Sequence, residues 1–168
     1  MQMRLDPAKV SPAAYHAMRG LESFVRKSSK LEESLLALIK MRASQINGCA
    51  VCIDSHAKDA RADGETEQRL YALSGWRETT FFTNRARAAL AWTEALTLIT
   101  EGHAADDVYA EVRKEFGEEE LVNLSLAIIT INSWNRLAIG FRTISGEYQP
   151  PKIGLSRLPQ HVILKGLK

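Results

Sequence analysis

Apolar positions recur along this chain at intervals of three and four residues, and period-2 alternation is absent. Tyr15, Met18, Leu21, Phe24 and Val25 form one stripe of a helix that opens at Ser11-Pro12 and runs to about Lys27. A second helix is expected over Leu31 to Ile46, carrying Leu35, Leu36, Leu38, Ile39 and Met41, and Asn47-Gly48 stops it. A third begins at Gly48 or Cys49 and ends near Asp63-Gly64. A short one follows from Glu65 to Leu73. Thr83-Asn84 opens a long helix through Leu98, and Asp106 to Phe116 is amphipathic. The last helix runs from Gly117-Glu118 to about Thr143, with apolar residues nearly all the way round. Such a helix must be covered on every side, either centrally or between subunits. The pattern predicts an all-α bundle of about seven helices over residues 1–146. An extended C-terminal tail is expected over 147–168, where Pro150, Pro151 and Pro159 fall.

Composition adds bounds. Hydrophobic residues make up 45% of the 168 and charged ones 25%, enough for a core without a disulfide framework. The 22 basic and 20 acidic residues are interspersed, which leaves no nucleic-acid footprint. The start, MQMRLDPAKV, has no signal-peptide core. The apolar run from Leu121 to Ile131 is too short to span a bilayer, so no membrane partner is expected. These features point to the cytoplasm, where thiols stay reduced and a close cysteine pair is more often catalytic or metal-binding than structural.

Such a pair exists. Both cysteines of the chain, Cys49 and Cys52, lie in NGCAVCIDSH, and His56 follows one helical turn later. If Cys49 starts a helix, i, i+3 and i+7 share one face. The two Cα atoms would then stand roughly 5 to 6 Å apart, within disulfide range. The helix N-terminus favours thiolate over thiol. His56, at i+4 from Cys52, is placed to take its proton. This spacing suggests Cys52 as the activated nucleophile and Cys49 as the resolving, partner-facing thiol. Two other readings stand beside it. The pair could be half of a zinc site, but no second Cys or His pair exists to complete four ligands. The cysteines could also be small core residues, with His56 a satisfied core histidine.

The stretch IKMRASQINGCAVCIDSHAKDAR resembles the core motif of the AhpD-like alkylhydroperoxidases of the carboxymuconolactone decarboxylase superfamily. That motif is a glutamate, eleven residues, CxxC, three residues and a histidine. Cys49, Cys52 and His56 match it position by position. ARAALAWTEALTLIT and INSWNRLAIGFRT continue the likeness more loosely, toward the peroxidase-related branch. The resemblance implies an all-α fold built on a helical hairpin, assembled into homo-oligomers, often trimers or hexamers. It also implies thiol peroxidase or disulfide-exchange activity with no cofactor: no haem, flavin or metal. The implied partners are a hydroperoxide substrate and an external dithiol or disulfide reductant. In the family the second cysteine is peroxidatic and the first resolves it. Decarboxylases proper lack the CxxC.

Two departures stand out. Twelve residues before Cys49, where the family glutamate should be, stands Ala37, and Val51 between the cysteines carries no protons. Glu33 and Glu94 are the candidate substitutes. Glu94 is preferred, because a lone carboxylate in the apolar AWTEALTL must be paired or functional. The alternative for Glu94 is escape to solvent or an ion pair with an arginine such as Arg136 or Arg142. Ser44 and Asn47 are expected to satisfy backbone groups at the helix junction. The candidate catalytic set is therefore Cys49, Cys52, His56 and Glu94. The activity expected is thiol peroxidase, with a redox sensor or disulfide-exchange module as the alternative.

Overall fold

Local signals set most helix boundaries. In the computed structural model, which describes residues 2–150, α1 (Pro7–Val10) and α2 (Pro12–Lys27) both begin on proline, whose fixed φ suits the first helical turn. Then α3 (Glu33–Asn47) ends at Gly48, which adopts φ +68°, a left-handed conformation that glycine enters at little cost. This sharp stop lets α4 (Ala50–Ala62) start two residues later, with Cys49 as its N-cap. Thr66 and Thr83 cap α5 (Glu67–Ala72) and α6 (Asn84–Thr97) by accepting from Arg69 N and Ala86 N. A 3-10 segment, Leu73–Glu78, bridges them. Next come α7 (Ile99–Gly102), α8 (Asp106–Glu115) and α9 (Glu118–Phe141), whose first turn carries three glutamates against the helix dipole.

All regular structure among the described residues is helical, as expected. The seven expected helices are present with small boundary shifts, and the two added ones, α1 and α7, are four residues each. A single helical turn gives too short a pattern for periodicity to show. No described helix is long and apolar enough to cross a membrane.

The core lies where α3, α6 and α9 meet, with α4 and α2 packed on one side and α8 on the other. Ile39, Leu90, Leu124 and Ile128 are fully buried there. On α9 the apolar pattern exceeds the cover it receives, since Val122, Ile129 and Ile139 stay exposed. Of the expected tail, residues 151–168 lie outside the described residues. Its first four are not helical, and Tyr148 among them is bonded to α4. Tyr148 Oη donates to Asp59 Oδ1 (2.5 Å), and Lys58 Nζ donates to the Tyr148 carbonyl (3.0 Å).

Candidate active site

The α3–α4 junction is a tight turn fixed from both sides. Cys49 N donates to Ser44 O at 3.0 Å, and Ile53 N donates to Cys49 O at 2.9 Å. Cys49 is the N-cap and Cys52 the third helical residue of α4, so both sit at the positive end of the helix. A disulfide joins them across a Cα–Cα distance of 5.3 Å, within the span expected from the spacing. Ser44 and Asn47 do more than the junction itself requires. Asn47 Nδ2 donates to Asn132 Oδ1 and Asn135 Oδ1, both at 2.9 Å, and Asn135 Nδ2 donates to Ser44 Oγ at 3.1 Å. Their side chains therefore bind α9, not the junction backbone, because α9 offers amides at the same depth.

The two sulfurs differ in access. Cys49 is 1% exposed and does not line the adjoining cavity, whereas Cys52 does. The expected partner-facing position of Cys49 is thus buried beneath the turn. The cavity, about 850 Å³, runs between α2, α4 and α9. Tyr15 and Trp134 form one wall, packed edge to face with ring centroids 5.2 Å apart. Trp92 is buried, donates to Ser125 Oγ and meets Tyr109 edge to face.

His56 lines this cavity and, on its other side, a second one of about 70 Å³ beside Ala37. Burial pushes its proton affinity down from 6.5 to about 4, and the charges of Lys40 and Arg26 push the same way, while Glu22 opposes them. The imidazole is therefore neutral at pH 7. This holds for the disulfide form. A negative charge at Cys52, one turn away, would raise the imidazole's proton affinity.

Glu94 is elsewhere. It lines neither cavity. Arg42 Nε donates to its Oε1 at 2.7 Å and Trp76 Nε1 at 2.9 Å, and Arg77 binds Oε2. Burial alone would raise its pKa, but these donors hold the carboxyl below the usual range. The arginine partners are Arg42 and Arg77, not Arg136 or Arg142. The expectation that Glu94 faces His56 is corrected by this placement, because its two oxygens are already taken by three donors. Glu33 lines both cavities.

The carboxylate whose charge reaches His56 is Glu22 on α2, bound by the buried ammonium of Lys40. Sequence reasoning passed over both. Lys40 interrupts LLALIKM just as Glu94 interrupts AWTEALTL, and the rule that buried charge needs a partner would have flagged it. No group of three or more His, Cys, Asp or Glu among the described residues is arranged to hold a metal ion.

The chain is thus an all-α bundle with a CxxC at the N-terminus of one helix and a histidine in that helix's second turn. The carboxymuconolactone decarboxylase family model matches residues 12–95, and the chain belongs to that family. It is 42% identical over 139 residues to the uncharacterized protein YdfG of Bacillus subtilis, covering 83% of this chain and 94% of YdfG. Among solved structures, it is 45% identical to a protein of unknown function from Agrobacterium tumefaciens proposed as an antioxidant defence protein, AhpD. That match has a TM-score of 0.84 and covers 88% of this chain and all of the other. An uncharacterized peroxidase-related protein from Ralstonia eutropha with an AhpD core is 15% identical, with a TM-score of 0.72, and covers 83% of this chain and 74% of its own. That likeness is one of fold.

Proposed function

We propose that this protein is a thiol-dependent peroxidase in which Cys52 attacks the hydroperoxide and Cys49 resolves the product. One observation carries the reading: of the two cysteines, Cys52 alone opens into the large cavity that His56 also lines. The helix N-terminus favours the Cys52 thiolate, and in this reading His56, four residues further along the same helix, takes its proton. The thiolate attacks the outer oxygen of ROOH and the O–O bond breaks. Cys52 becomes a sulfenic acid, and the leaving alkoxide takes the proton from His56 to give ROH. The Cys49 thiol then displaces water from that sulfur and forms the disulfide. An external dithiol reduces the disulfide by exchange and is itself oxidised, so ROOH and a dithiol yield ROH, water and a disulfide.

Burial of Cys49 weighs against the alternative, a sensor or exchange module that docks a protein partner on the first cysteine. A small hydroperoxide or dithiol reaches Cys52 through the cavity without any opening of the turn. The same reading includes self-association. Val122 and Ile129 expose apolar surface on α9, and a second copy covering them would bury it. Sedimentation of the purified protein as a monomer would remove that part. It also places the chain in the cytoplasm, where dithiol reductants are supplied.

The test is steady-state hydroperoxide consumption with dihydrolipoamide, thioredoxin and glutathione as separate donors. Wild type should turn over with a dithiol. Cys52→Ser should not react at all, and Cys49→Ser should consume one equivalent and stop. Equal initial rates in wild type and Cys52→Ser would refute the assignment.

A further inference from the structure

Burial and nearby charge both act on the imidazole of His56. Yet a base that must turn one nitrogen toward Cys52 needs something to hold the other. The structure offers one arrangement. Glu22 lines both cavities together with His56. Its carboxylate is fixed by Lys40 Nζ, which is buried on α3, one turn after Ala37. The cavity between them, about 70 Å³, is large enough for ordered water and is lined by polar groups able to bind it. Arg26, Glu33, Asp59 and Asp63 line it as well.

We infer that Glu22, clamped by Lys40, is the positioning residue of His56, acting across the water-sized cavity beside Ala37. The carboxylate that the family motif places on α3 is supplied here from α2. Lys40 has two effects. It holds Glu22 in place, and its own charge opposes protonation of His56. Glu22 favours protonation. The six charged groups around the cavity do not act alike, so an electrostatic role can be told from a merely structural ion pair.

The primary experiment titrates His56 by NMR in the oxidised protein. It needs no turnover, so it stands or falls separately from the peroxidase reading on which the kinetic arm rests. Glu22→Gln should lower the His56 pKa, because it removes a charge that favours protonation and leaves Lys40 uncompensated, while the amide oxygen still accepts from Lys40. Lys40→Met should raise it, by roughly one unit for an opposed charge at this range. Opposite shifts support the inference. Shifts of the same sign, or none in Glu22→Gln, overturn it. In the kinetic arm, Glu22→Gln should slow thiolate formation at Cys52, read as the pH profile of alkylation, by ~10-fold or more. Ala37→Glu in that background should restore it, because the new carboxylate enters the same cavity. A wild-type protein that consumes no hydroperoxide, with the opposite shifts intact, would sink the peroxidase reading and leave the positioning role standing. Failure of Ala37→Glu to restore alkylation, when both single variants are folded, counts against the cavity as the route.

Discussion

Two acids in this fold look alike in sequence and do opposite things. Glu94 and Glu22 each lie on a helix beside the core, and each binds a basic side chain of α3. Glu94 is saturated: Arg42, Arg77 and Trp76 occupy its oxygens. Among the described residues one side chain, Lys40, donates to Glu22, which lines cavities that His56 also lines. A buried carboxylate whose hydrogen bonds are all taken has no capacity left for chemistry and works as a strut. One with spare acceptor capacity beside a titratable ring can still influence a proton. Counting partners thus separates the two better than burial or helix context does.

The comparison can be broken in several ways. The largest effect should come from the ring itself. His56→Asn should slow hydroperoxide reduction by ~10²- to 10⁴-fold, the usual worth of a general base, with little change in the unfolding midpoint. A rate near wild type would place the proton acceptor elsewhere. Glu94→Gln should do the reverse. It leaves Arg42 partly buried without its counter-charge, so urea unfolding should show a loss of about 2–3 kcal/mol, less than for a sealed pair because Arg77 is half exposed. The Cys52 rate per folded molecule should not move. If it falls with stability intact, the two clusters are coupled after all.

A third effect is set by pH. The folded protein holds His56 near 4, below its unfolded value of 6.5. Between these values the unfolded chain binds a proton that the folded one refuses. Stability is therefore full above pH 6.5, falls as pH drops toward 4, and levels off below. One proton limits the slope to about 1.4 kcal/mol per pH unit. The carboxyl of Glu94 is held low, so its contribution is lost only below about its ordinary pKa of 4.5, which leaves the upper part of the window to His56. Chemical denaturation at pH 5 and 7 should show the difference in wild type and not in His56→Asn. The smallest effect should be Tyr148→Phe, which removes one bond to Asp59 at the surface and should cost about 0.5–1 kcal/mol.

The helices were legible because their boundaries rest on local chemistry. Pro12, Gly48, Thr83 and the three glutamates after Gly117 each act within one turn, and the structure keeps every one. The reach from Cys49 to Cys52 and His56 was legible for the same reason, since one helix fixes all three. What failed to show were contacts between helices. Nothing in AWTEALTL says that Arg42, 52 residues earlier, takes up Glu94. Nothing in LESFV says that Glu22 lies across from His56. Asn47 also looked like a helix stop, and only the approach of α9, 85 residues later, makes it a bridge.

That bridge bears on what the disulfide is for. A cross-link that closes so short a loop removes little freedom from the unfolded chain, about 2 kcal/mol at most on chain-entropy grounds. Asn47, Ser44, Asn132 and Asn135 meanwhile hold the turn with bonds that do not involve sulfur. On the proposed reading, the bond between Cys49 and Cys52 holds a two-electron oxidising equivalent on a frame that stands without it. Reducing it should cause no melting of the bundle and no drift of α4. A protein fastened in this way should keep one backbone shape in both oxidation states, and circular dichroism before and after reduction checks it.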